Sequence, residues 1–172
     1  LRRARAVAPG DVVQSEYALW ARYPDLGMLQ TCAELDVTFV PFSPLGRGIF
    51  ALHTPDPARF KDGDFRKGTP RFTEPNFGYN VARVRAFKAL ANDLGSHPVT
   101  LAISWCLNRG PHLIPWVGRM ATAIRLNNGL GQKGIAKAIF AQSHKQMPNR
   151  RGDTMDRLDH IVMGKTTSDQ RP

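Results

Sequence analysis

Val37-Thr38-Phe39-Val40-Pro41-Phe42 constrains this chain more than any other segment, because it is a continuous run of apolar and β-branched residues without polar alternation. A strand with one wet face alternates apolar with polar; an unbroken run of this kind predicts a strand covered on both faces, as in a parallel sheet. Parallel strands need crossover connections, and the flanking sequence supplies them. Val12–Glu16 follows the Pro9-Gly10 turn and predicts an earlier strand, and His112–Val117 (HLIPWV) predicts a later one. Pro24–Leu35 predicts a helix, with Pro at its start and Leu26, Leu29 and Ala33 near helical spacing. In Asn80–Leu94, Val81, Val84, Phe87, Leu90 and Ala91 share one helical face, with Asn80 as N-cap and Gly95 just past the end. Pro98–Asn108 repeats that design, and Leu1–Val7 reads as the last turns of a helix. The order implies right-handed βαβ units, in an open α/β sheet or part of a barrel.

The chain has 172 residues, 42% of them hydrophobic and 22% charged, which suits one globular domain with a sizeable core. Its 24 Lys plus Arg against 14 Asp plus Glu leave a formal charge of +10. That sign favours an anionic partner: nucleic acid, an acidic surface or a phosphorylated cofactor. The longest apolar stretches, Val37–Leu45 and Val99–Leu107, fall short of the ~20 residues of a spanning helix, so no membrane partner is expected. The basic amino end leads into no apolar run with a cleavage site, so it is not a secretory signal. The chain also starts without Met, and we expect a fragment. Cys32 and Cys106 show neither disulfide nor metal-ligand spacing, and the five histidines are scattered; a reduced, cytoplasmic protein without a metal is expected.

From Gly46 to Tyr79 the chain is rich in Gly, Pro, Asp, Arg and Phe without sustained periodicity, and so long a connection is usually functional. Ile135, Ala136, Ile139 and Phe140 suggest one last short helix within a domain spanning 1–145, and 146–172 reads as a polar, disordered tail. Ligands of α/β sheets bind beyond the carboxyl ends of the strands. Those ends here are Gln14-Ser15-Glu16-Tyr17 and Ser43-Pro44-Leu45-Gly46-Arg47-Gly48. Small residues let backbone N–H groups approach a phosphate, and Arg47 can add charge-assisted hydrogen bonds, although such turns are more often plain loops. Gly118-Arg119 follows the third strand, and Arg125 lies near the next helix start, where a dipole favours an anion. Trp20, Phe42 and Trp116 sit at or beyond strand ends, where an aromatic face can stack on a flat ring, though core packing is the commoner use. Glu16 and Asp36 have no partner at useful spacing and read as surface groups.

Several of these segments, taken in order, resemble the carboxyl-terminal half of an aldo-keto reductase. They are Leu1-Arg2-Arg3-Ala4, Val13-Gln14-Ser15-Glu16-Tyr17-Ala18-Leu19-Trp20, Cys32-Ala33-Glu34-Leu35, and Phe39-Val40-Pro41-Phe42-Ser43-Pro44-Leu45-Gly46-Arg47-Gly48. Asp64-Phe65-Arg66, Pro70-Arg71-Phe72, Pro98–Leu107 and Ile114-Pro115 continue the likeness. The resemblance implies the last three strand-helix units of a (β/α)8 TIM barrel and an NADP(H)-dependent reduction of a small-molecule carbonyl to an alcohol. It implies that Gln14 meets the nicotinamide carboxamide and that Phe42, commonly Tyr in relatives, stacks on the nicotinamide ring. Ser43, Leu45, Gly46 and Arg47 would cradle the pyrophosphate.

The last strand departs from the pattern. Relatives usually read Ile-Pro-x-Pro-Gly, then a small residue and a base, where this chain has Ile114-Pro115-Trp116-Val117-Gly118-Arg119-Met120. Arg119 stands one place early for the base that meets the 2′-phosphate. With one residue inserted, Arg125 matches the phosphate-binding Arg, while Asn128 replaces the adenine-binding acid. The family's catalytic Tyr, Lys, Asp and His belong to the first half of the barrel, and Tyr17, Tyr23 and Tyr79 lack the catalytic context. No catalytic residue is therefore assigned, and no turnover is expected from this chain alone. Open barrel edges predict self-association. A rival reading, a basic nucleic-acid-binding module, ranks second because the bases are spread over helix, loop and tail without a recognition pattern.

Overall fold

The computed structural model describes residues 1–117 and Leu158. Its helices are α1 (Arg2–Val7), α2 (Met28–Glu34), α3 (Asn76–Asp93) and α4 (Pro98–Leu107), and its strands are β1 (Val12–Glu16) and β2 (Thr38–Phe42). The strands pair in parallel, from Val12 opposite Thr38 to Glu16 opposite Phe42. Beyond β2 the 112–117 segment runs parallel to it, bridging Leu113 to Phe39 and Trp116 to Phe42. The Phe39 N–H donates to the His112 carbonyl at 2.8 Å, and the Ile114 and Trp116 N–H groups donate to Phe39 and Pro41 at 2.9 and 2.7 Å. The expected third strand is thus present as two bridges rather than a full ladder. Pro115 and Pro41 each lack an N–H, and a ladder needs that donor. The result is an open, unclosed parallel sheet of the kind found in (β/α) barrels.

Register sorts the side chains. Phe39 and Leu113 are buried on the face turned to the helices, whereas Val12, Ile114 and Trp116 on the other face are 61%, 54% and 56% exposed. Cover of β2 is unequal between its faces among the described residues: burial alternates along Thr38–Phe42, with Phe39 and Pro41 buried and Thr38, Val40 and Phe42 half-buried. Tyr17 lies against Phe39 and Trp105, and Trp20 packs edge-on to Phe50 and Phe72. Phe50 in turn meets Phe87 of α3. Edge-to-face pairs of this kind contribute about 0.5–1.5 kcal/mol each beyond the area they bury. Leu158 joins the same core, fully buried.

The helices begin where backbone chemistry allows. The predicted helix at 24–35 is split, because Gly27 takes φ 115° between a 3-10 turn (Tyr23–Leu26) and α2. The long stretch after Gly46 is built from four 3-10 turns, and α3 begins at Asn76 rather than after Asn80. Asn80 is not a cap; its amide donates to the Arg71 carbonyl at 2.9 Å. His97 supplies the cap of α4, its Nδ1 accepting from the Val99 N–H at 3.3 Å. Among the described residues no helix is long and apolar enough to cross a membrane. The last predicted helix and Gly118, Arg119, Arg125 and Asn128 lie outside the described residues.

Candidate functional site

Because β1, β2 and the 112–117 segment run parallel, their carboxyl ends share one edge. Gln14 is exposed on β1 opposite Val40. Two residues nearer the edge, half-buried Phe42 lies between Glu16 and Trp116. The chain then folds into a tight turn. Ser43, Gly46, Arg47 and Gly48 take φ of 52°, 55°, 57° and 98°, and the Gly46 N–H donates to the Ser43 carbonyl at 2.8 Å. Leu45 is buried and anchors the turn, its carbonyl accepting from Gly48 and Phe50 at 3.1 and 3.2 Å. A left-handed conformation in a non-glycine residue costs on the order of 1–3 kcal/mol, and such residues cluster at ligand sites. At Gly46 the glycine is required sterically as well, since a Cβ there would lie 2.8 Å from both the Trp20 and the Phe50 rings. Trp20, a candidate stacking residue, is thereby committed to packing.

Charge concentrates at the same place. Glu16 accepts from Arg47 Nη2 through Oε2 and from Arg71 Nη1 through Oε1, both at 3.1 Å. The Arg47 guanidinium lies over Phe65 at 5.1 Å, and that of Arg71 over Trp20 at 5.2 Å. Arg66 Nη1 donates to the Arg47 carbonyl at 3.3 Å, fixing the turn from the following loop. Asp64 holds Arg66 at 2.7 Å, and the hydrogen bonds from the Arg66 side chain and backbone hold its carboxyl down at about 2. Arg47 Nε is buried and has no hydrogen-bond partner among the described residues. Two guanidiniums, one carboxylate and a turn of left-handed residues form a setting able to take an anion beside a flat apolar surface.

Of the residues expected at the site, Gln14, Phe42, Ser43, Leu45, Gly46 and Arg47 come together along this edge. Glu16, read as a surface group, is its central carboxylate, and Arg71 had no role in the sequence reading. Their contact joins positions 55 apart, beyond the reach of local spacing. Tyr17 has a different use. Its hydroxyl donates to Asp25 at 2.5 Å and accepts from Arg109 at 3.1 Å, tying β1 to the end of α4. Burial, and next the hydrogen bond to Asp25, raise its pKa, so it holds its proton. Tyr23 and Tyr79 are exposed. Among the described residues no three His, Cys, Asp or Glu side chains are grouped to hold a metal ion.

Comparison with known proteins now bears on this geometry. The sequence pattern of the Aldo/keto reductase family matches residues 1–142. Over 121 residues the chain is 35% identical to the aldo-keto reductase yakc [NADP(+)] of Schizosaccharomyces pombe, covering 69% of this chain and 36% of that protein. Over 117 residues it is 36% identical to the aldo-keto reductase str7 of Strobilurus tenacellus, covering 66% of this chain and 35% of the other. The chain therefore spans about a third of the length of these relatives. In fold it is similar to the glycerol dehydrogenase AKR11B4 of Gluconobacter oxydans, with a TM-score of 0.61 and 23% identity over 84% of this chain and 46% of that one. A parallel βαβ frame with a strained, arginine-bearing turn at its carboxyl edge, matched along most of its length by one sequence pattern, places the chain in the aldo/keto reductase family.

Proposed function

We propose that this chain carries the NADP(H)-binding part of a carbonyl reductase, formed from the last three strand-helix units of a (β/α)8 barrel. The observation that supports it best is the meeting of Gln14, Phe42 and the Ser43–Arg47 turn on one edge of a parallel sheet. The residues fit a dinucleotide: Arg47 Nε, unpartnered among the described residues, is a donor in need of an acceptor, and half-buried Phe42 offers an apolar flat face. Gln14 would hold the carboxamide, Phe42 the nicotinamide ring, and Ser43, Leu45, Gly46 and Arg47 the pyrophosphate. Gly118, Arg119, Arg125 and Asn128 would serve the adenosine end with its 2′-phosphate. When bound, the reduced nicotinamide supplies hydride to an aldehyde or ketone. The work of these side chains is to bind and orient that ring. We place the general acid in the first half of the family's barrel, outside the units proposed for this chain, so binding without turnover is the expected behaviour of the chain alone.

Titration of the full 172-residue chain with NADPH and with duplex DNA across a salt series tests the proposal. Submillimolar NADPH affinity is expected, weakened roughly tenfold by Phe42→Ala or Arg47→Ala, as loss of one stacking or charged contact predicts. No NADPH binding, with DNA affinity falling steeply with salt, would favour the nucleic-acid module instead.

A further inference from the structure

We infer that Arg71 is a second phosphate-binding guanidinium of this site and that Glu16 is its resident counter-anion, displaced when a ligand phosphate arrives. The inference rests on the cofactor reading above and extends it to residues that the reading leaves out.

One carboxylate bridges the two guanidiniums, one oxygen to each, at 3.1 Å. Such a contact is monodentate on both sides, and the fork geometry of arginine leaves further N–H groups on each. One of these, Arg47 Nε, is buried without a partner among the described residues. Two positive charges against one negative leave a net positive charge, which an arriving anion can neutralise. The groups are also reachable: Glu16, Arg47 and Arg71 keep 22%, 25% and 30% of their side-chain surface exposed.

Arg71 and the turn share a neighbour as well as a carboxylate. Its guanidinium lies 5.2 Å from the Trp20 ring, and a Cβ on Gly46 would sit 2.8 Å from that same ring. A single indole thus connects the arginine to the glycine of the turn. Arg66, bonded to Asp64 and to the Arg47 carbonyl, steadies the other side. Without a ligand, Glu16 keeps two like charges together with one bond to each; with one, a phosphate presenting several oxygens can engage more N–H groups of both forks.

The test is the sign of two substitutions, read on the full chain with inorganic pyrophosphate and with NADPH. Arg71→Ala is expected to weaken both ligands roughly tenfold, as loss of a charged hydrogen bond predicts. Glu16→Gln is expected to tighten pyrophosphate by about threefold or more, because a competitor for the site is gone. Glu16→Asp, one methylene too short to span both arginines, should tighten binding too while keeping its charge. It serves as the check should Glu16→Gln fail to fold. Weakening by both Arg71→Ala and a Glu16 variant would mean that the pair only braces the loop, and would overturn the inference. So would pyrophosphate binding indifferent to Arg71. In either case NADPH binding sensitive to Phe42 and Arg47 would leave the cofactor reading standing. Absence of binding by both ligands would remove both proposals.

Discussion

Gly46 shows how much one missing carbon can matter. Any Cβ there meets two aromatic rings at 2.8 Å, and φ of 55° is itself unfavourable for a side chain. Gly46→Ala should lower stability by about 2–4 kcal/mol, the sum of overpacking and left-handed strain, seen as a shift in the urea midpoint. An unchanged midpoint would contradict the packing described here. This residue was legible only in part: the Ser-Pro-Leu-Gly-Arg-Gly turn reads as a place where small residues let a backbone approach a phosphate, whereas the need for glycine against two rings comes from the fold. Glu16 was not, because its meaning lies in Arg47 and Arg71, brought to it by the fold rather than by spacing. Tyr17 was read as the end of a strand and set aside as a catalytic group; its bonds to Asp25 and Arg109 are likewise tertiary.

At the scale of elements, β1 is found at the predicted residues, because β-branched residues after a Pro-Gly turn leave few alternatives. The helix predicted at 24–35 was broken by Gly27, whose φ of 115° no helix admits. Asn76 opens α3 through residues with no apolar period, Gly78 and Tyr79 among them, which hid its first turn. Two of the four 3-10 turns of the long loop, Pro57–Arg59 and Phe65–Gly68, start on an aspartate side-chain cap, a local feature that leaves no periodicity. One of them, Phe65–Gly68, is capped by Asp64, whose carboxylate accepts from the Arg66 N–H at 3.0 Å. Its pKa is lowered to about 2 from an ordinary 3.8. A carboxyl depressed in the folded state contributes stability above its unfolded pKa and loses it as pH falls through the folded value. Stability should therefore drop between about pH 4 and pH 2 more in the wild type than in Asp64→Asn, measured by thermal melts across that window.

For the whole molecule, the parallel frame explains both what the sheet presents and what it leaves open. One face is sealed by the helices and the other carries Val12, Ile114 and Trp116 at more than half exposure. Apolar side chains on an unpaired sheet surface favour association with another copy. Sedimentation of the chain should show a concentration-dependent dimer or larger species that Ile114→Thr with Trp116→Gln reduces; a monomer at all concentrations would refute this. The frame was legible because crossover connections leave a coarse rhythm in the sequence, whereas the reduction of the third strand to two bridges depended on where Pro41 and Pro115 fell against each other. That frame also has a practical side. Asp36, exposed in the turn that leads into β2, stands at the opposite end of the strands from the arginines, a separation of about 16 Å at the usual rise for five strand residues. A fluorophore or an immobilising handle attached there would leave the working rim free to face solution.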